Sequence, residues 1–139
     1  MGIFDQYRVD HDAEKEGVKL NFGEFWLTVL RAGGSNNRYK QSLTRRTRPY
    51  QSAIQSGTIP YEVEQKIMAE AVAEAVVIGW GSNKFGEGQM PDPDDETSPL
   101  SFNEENVVKF LTAIDILVEV MQYASARESF QTVGDDVKN

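Results

Sequence analysis

The residues of this chain that can do chemistry are few, and their spacing assembles no catalytic set. His11 is the single histidine and there is no cysteine, so no partner exists for a nucleophilic or metal site built around it. A general base also needs a positioned, perturbed environment; His11 reads instead as a solvated residue of a polar lead-in. The run PDPDDET, from Pro91 to Thr97, alternates oxygen ligands at Asp92, Asp94 and Glu96 as calcium loops do. It lacks the central glycine and the distal bidentate glutamate of such loops, and reads as a solvated acidic loop. AGGSN, from Ala32 to Asn36, sets two glycines before a helix start, where an anion can sit. Neither a Lys-Ser/Thr pair nor a third spaced glycine follows, and a turn is the simpler account. No catalytic, cofactor-binding or metal-binding residue is therefore expected, and the protein reads as not an enzyme.

A different chemistry is concentrated between Glu24 and Glu62. That window contains no carboxylate side chain, yet it holds Arg31, Arg38, Lys40, Arg45, Arg46 and Arg48. The whole chain has 14 basic and 22 acidic residues, a net charge of −8, so the charge is segregated as well as negative. Three readings are open. The arginines can pair with acidic helices of the same domain as a solvated face. They can form a protein interface, because Arg and Tyr dominate binding hot spots and Arg38, Tyr39, Arg48 and Tyr50 supply both. They can grip phosphate and stack on bases, but the acidity of the remaining chain repels a nucleic-acid backbone. The second reading makes Trp26, Arg31, Arg38, Tyr39, Arg45, Arg48 and Tyr50 the candidate partner-binding residues.

At 139 residues the chain has the size of one ordinary domain that can bury a core without staples. We read residues 1–130 as that domain and 131–139 as a flexible polar tail. The first residues lack the apolar run of a secretory signal, and no stretch is long enough to span a bilayer. A soluble intracellular protein is expected, with neither nucleic acid nor membrane as partner.

The elements that must position the cationic window follow from periodicity. Val18, Leu20 and Phe22 alternate with polar residues, Gly23-Glu24 interrupts, and FWLTVLRA resumes a β-prone run; an N-terminal β-hairpin is the simplest account. Its second strand is largely apolar on both faces, Phe25, Leu27 and Val29 against Trp26, Thr28 and Leu30, and so needs cover on each side. Ser35, Asn36 and Asn37 are candidate caps for a helix carrying Tyr39 and Leu43. Pro49 can start a further helical piece that Gly57 ends. The stretch from Pro60 reads as one long helix finishing at Gly79 to Gly81, with Glu62 and Glu64 at its positive end. Trp80, between those glycines, reads as a core plug. Residues 81–101 read as a long connecting loop. Ser101 with Glu104 is a capping-box arrangement, and Val107, Leu111, Ile114, Val118 and Met121 form an apolar seam beyond it. The predicted fold is mainly α with an N-terminal β-hairpin, a small α+β arrangement with helices around one core.

In order and spacing the strand leading into RAGGSNNRYKQSL, then TRPYQSAIQSGTIP, a helix ending in VVIGWG, a Gly/Asp-rich loop, and LSFNEENVVKFLTAIDILVEVMQYA followed by RESF resemble the tail assembly chaperones of long-tailed bacteriophages. The resemblance covers roughly residues 17–130. It implies a small, mainly helical, noncatalytic protein that binds the tape-measure protein, keeps it soluble and helps recruit the tail-tube protein. Self-association into a homo-oligomer, residence in the host cytoplasm and absence from the mature virion are implied with it. Relatives commonly carry a proline in the last helical region, where this chain reads TAIDILVEV; one long helix and two shorter ones both remain open. The alternative is a structural tail or head-completion component of the virion.

Overall fold

The computed structural model describes residues 3–4, 10–34 and 36–130, with the backbone alone for His11, Asp12, Glu14, Arg127 and Glu128. Most of the N-terminal lead-in, Ser35, the His11 side chain and the tail at 131–139 lie outside what is described.

Helix α1 (His11–Glu16) is short. The Asp10 carboxylate accepts from Ala13 N–H at 3.2 Å, in the manner of a cap. Strands β1 (Val18–Asn21) and β2 (Phe25–Val29) pair antiparallel, with Leu20 opposite Leu27. This ribbon does not stand alone. Strand β3 (Val77–Ser82) pairs antiparallel with β2, and β4 (Gly86–Glu87) completes a four-stranded sheet in the order β1-β2-β3-β4. Strands β5 (Gln89–Asp92) and β6 (Asp95–Ser101) form a second, two-stranded sheet.

A mainly helical fold is therefore corrected to an α+β fold with two sheets among the described residues. Two segments account for the difference. The helix from Pro60 ends earlier, as α4 (Tyr61–Ala75), and the chain continues as β3. Val76, Val77 and Ile78 are β-branched and suit a pleated surface, and pairing to β2 outweighs one more helical turn. The stretch expected as a loop forms β4, β5 and β6, and it packs: Met90 and Leu100 are buried. Pro91 and Pro99 face each other as register partners. Both strands of a two-stranded ribbon are edges, where a missing N–H is tolerated. Prolines that suggested a loop are compatible with such a sheet.

Helix α2 (Asn37–Thr47) passes through a 3₁₀ turn (Arg48–Tyr50) with Pro49 in its first positions into α3 (Gln51–Ser56), which Gly57 closes at φ 72°. Asn36 caps α2, its side-chain oxygen accepting from Tyr39 N–H at 3.1 Å. Its amide also donates to the carbonyls of Arg31 at 2.8 Å and Ala75 at 2.9 Å. One side chain thus joins the exit of β2, the start of α2 and the end of α4. The last helical region is two helices, α5 (Glu104–Ala113) and α6 (Leu117–Ser125), with a 3₁₀ turn (Arg127–Phe130) after them. Asn103, not Ser101, caps α5, accepting from Asn106 N–H at 2.8 Å. The break after Ala113 lets Ile116, Leu117 and Val120 bury while Val118, assigned to the continuous seam, points outward at 59 % exposed.

Helix α4 packs between α2 and α5 and meets β3, which explains why Ile67, Ala69, Ala71, Val72, Ala73 and Ala75 are all buried. The core runs on through Leu27, Val29, Trp80, Met90, Val107, Phe110, Val120 and Phe130. Trp80 sits at its centre, 1 % exposed, edge-on to Phe102 and Phe110 with ring centroids 5.5 and 5.4 Å away.

Candidate interaction surface

The helical part of the acid-free window, α2 and the turn after it, builds one face. Tyr39 and Ser42 fix that helix to the body. Tyr39 is buried, 7 % exposed, so it is a core residue and does not present a hot-spot surface. Its hydroxyl lies 3.3 Å from Met68 Sδ and 3.9 Å from Met121 Sδ, and burial raises the phenol's pKa.

Ser42 opens a polar cluster between α2 and α4. Glu74 Oε1 accepts from Ser42 Oγ at 2.7 Å, Arg45 Nη2 at 2.7 Å and Arg46 Nη2 at 2.8 Å. Arg46 also donates to Ser42 Oγ at 3.0 Å and reaches Glu70 at 3.3 Å. These bonds, from Ser42 first and Arg46 next, draw the Glu74 carboxyl down to a pKa of about 2. A carboxylate in the last turn of a helix meets the negative end of the dipole; the two guanidinium groups offset that penalty. Arg45 and Arg46 therefore pair within the domain, as the first reading of the window supposed.

The other cations of the face have no such use. Among the described residues no carboxylate lies within ion-pair distance of Arg38, Lys40 or Arg48, and all three are exposed. Lys40, Gln41, Thr44, Arg45 and Arg48 line a shallow groove of about 410 Å³. Beside it a second groove of about 410 Å³ has Val63 and Ile67 of α4 for its apolar part and Tyr50, Arg46, Lys66 and Glu70 at its sides. Tyr50 is 39 % and Ile54 of α3 41 % exposed. Arginine and tyrosine edges around an apolar strip are the composition of a protein contact.

Of the candidate residues, then, Arg38, Arg45, Arg48 and Tyr50 share this face. Arg31 is half-buried where the chain leaves β2. Trp26 lies elsewhere, on β2 opposite Gly81, with the Lys19 ammonium 5.0 Å from its ring centroid. Lys66 was missed. Its signal is a lone cation in the otherwise acidic run YEVEQKIMAEAVAEA, one residue before buried Ile67. The acidic turn at 92–95 is held by its own bonds: Asp92 accepts from Asp94 N–H at 2.9 Å, and Asp95 from Thr97 and Ser98. Among the described residues no group of three or more His, Cys, Asp or Glu side chains is placed to hold a metal ion. No helix among them is long and apolar enough to cross a membrane.

Residues 34–139 match the family model of the YdaY prophage protein. The chain belongs to the YdaY prophage protein family. No curated protein and no solved structure matches it. The YdaY match begins just ahead of α2 and takes in the whole cationic face, the central helix and both sheets' later strands, while β1 and β2 precede it. It makes the protein phage-derived, through the YdaY family and not through a match to tail assembly chaperones.

Proposed function

We propose that this YdaY-family protein is a noncatalytic tail assembly chaperone. It binds the tape-measure protein in the host cytoplasm, keeps it soluble, helps recruit the tail-tube protein and does not remain in the mature virion. The observation that carries the reading is the exposed cationic face, where Arg38, Lys40 and Arg48 have no carboxylate partner among the described residues and Tyr50 and Ile54 stand beside them. The resemblance of the sequence blocks, in order and spacing, to tail assembly chaperones supports it further, as does the match to a prophage protein family. A tape measure not yet enclosed by its tube exposes apolar helical stripes, and a face of this composition can cover such a stripe. The net charge of −8 favours solubility of the pair.

The test is co-expression of the tape-measure protein of the same prophage with and without this chain. Soluble tape measure is expected only with it, together with copurification. Arg38→Glu with Arg48→Glu is expected to abolish copurification while the melting temperature stays unchanged, because neither arginine has an ion pair to lose. A tape measure whose solubility is indifferent to the chain, with the chain present in purified particles, overturns the proposal in favour of a structural virion component.

A further inference from the structure

A second surface, of opposite charge, is built by α5, the start of β2 and the β5–β6 ribbon. Between the start of β2 and the β5–β6 ribbon is a pocket of about 240 Å³. Phe25, Met90 and Phe110 form its apolar part, and Pro91 and Pro93 belong to its lining. Proline fixes its own backbone φ, so that part of the pocket is formed in advance and little ordering is needed on binding. Ile114, Glu24 and Glu96 complete the lining. Both glutamates are exposed, and among the described residues neither takes part in an ion pair. Asp94, in the adjoining turn, is 77 % exposed. The cations nearby are already engaged: Lys109 lies 3.2 Å from both Asp92 and Asp94, and Lys84 donates to the Glu96 carbonyl at 2.9 Å.

We infer that this pocket receives one apolar side chain, aliphatic or aromatic, of a partner polypeptide in which lysine or arginine flanks that residue. The apolar interior rewards burial of a hydrocarbon group, and the two free carboxylates select its basic neighbours by charge complementarity while repelling an acidic segment. This site is separate from the cationic face and does not depend on the tape-measure reading. Its lining shares no residue with the grooves of the cationic face, so a basic and an acidic partner can be held at once.

The experiment uses the full chain with ¹³C-methyl methionine and two synthetic hexapeptides, Lys-Lys-Phe-Leu-Lys-Lys and its counterpart with glutamate at the four lysine positions. Met90 reports on this pocket, while Met68 and Met121 line the separate groove between α4 and α6. The lysine peptide is expected to shift the Met90 methyl saturably and leave Met68 and Met121 in place; the glutamate peptide is expected to leave all three unmoved. Glu24→Gln with Glu96→Gln should weaken the lysine peptide by roughly fivefold, as rim charges of this kind allow. The inference is overturned if Met90 does not respond, if both peptides move it alike, or if the double glutamine variant binds with unchanged affinity.

Discussion

Gly81 and Trp26 face each other as register partners across β2 and β3, and they fit only because one of them has no side chain. A β-carbon at position 81 would stand 2.3 Å from Trp26 Cζ2 and 2.6 Å from Cε2, well inside contact distance. The indole fills the space that the glycine leaves, on the sheet face opposite buried Leu27 and Val29. Gly81→Ala should therefore destabilise the protein by about 1–3 kcal/mol through overpacking, measured by urea unfolding. In a Trp26→Ala background the same change should cost much less; additive losses would show that the contact is not the cause. At this scale Trp80 was legible as a core residue, since a large aromatic contributes chiefly by burial. The glycine beside it was read as helix punctuation. Its role as room for Trp26 appears only once the two strands are known to pair.

Between elements, the most consequential junction is the one where α2 meets α4. Its Glu74 carboxyl is held at about 2 against an ordinary 4.5. A carboxylate with a depressed folded-state pKa contributes its full stability above the unfolded value and loses it as pH falls toward the folded one. The contribution should be complete above about pH 5 and decline from about 4.5 toward 2. Glu74→Gln should cost on the order of 1–2 kcal/mol at neutral pH, allowing for solvent screening. The gap between variant and parent in thermal melts should narrow below pH 4 and close near pH 2. A gap that stays constant down to pH 2 would exclude the carboxylate as its source. Helix starts were legible in the sequence where capping chemistry is local: Asn36, Pro49 with Gly57, and Pro60 with Glu62 and Glu64 all mark real boundaries. Helix ends after Ala75 and Ala113 were not, because tertiary burial decides them. A run such as Val76 to Ile78 satisfies both periods until β2 lies alongside.

Over the whole molecule, charge and topology tell one story from opposite ends. The acid-free window was visible in the sequence as composition, and the fold gathers its helical part, with Arg38, Arg45 and Arg48, on α2 and the turn after it, while Trp26 stays on β2 and the Asp92 to Glu96 run closes the β5–β6 hairpin. The mainly helical expectation failed in part because the central pairing of the four-stranded sheet, β2 with β3, joins residues 50 or so apart, as Leu27 opposite Trp80 does, and long-range pairing leaves little local trace. The same distance gives Asn36 a role larger than its three hydrogen bonds. Since it latches the start of α2 to the end of α4 and to the exit of β2, these segments should open to solvent together. Amide hydrogen exchange should find Tyr39, Leu30 and Val76, the last two being donors at the same junction, with closely similar opening free energies. In Asn36→Ala the Tyr39 amide should exchange about fivefold faster or more, in line with a lost cap, and should separate from the other two. Unchanged, matched rates would mean that packing alone binds the unit. The cationic face is then no loosely hinged arm: to peel it away, a partner would have to unfasten it from the end of α4 and from the chain leaving β2.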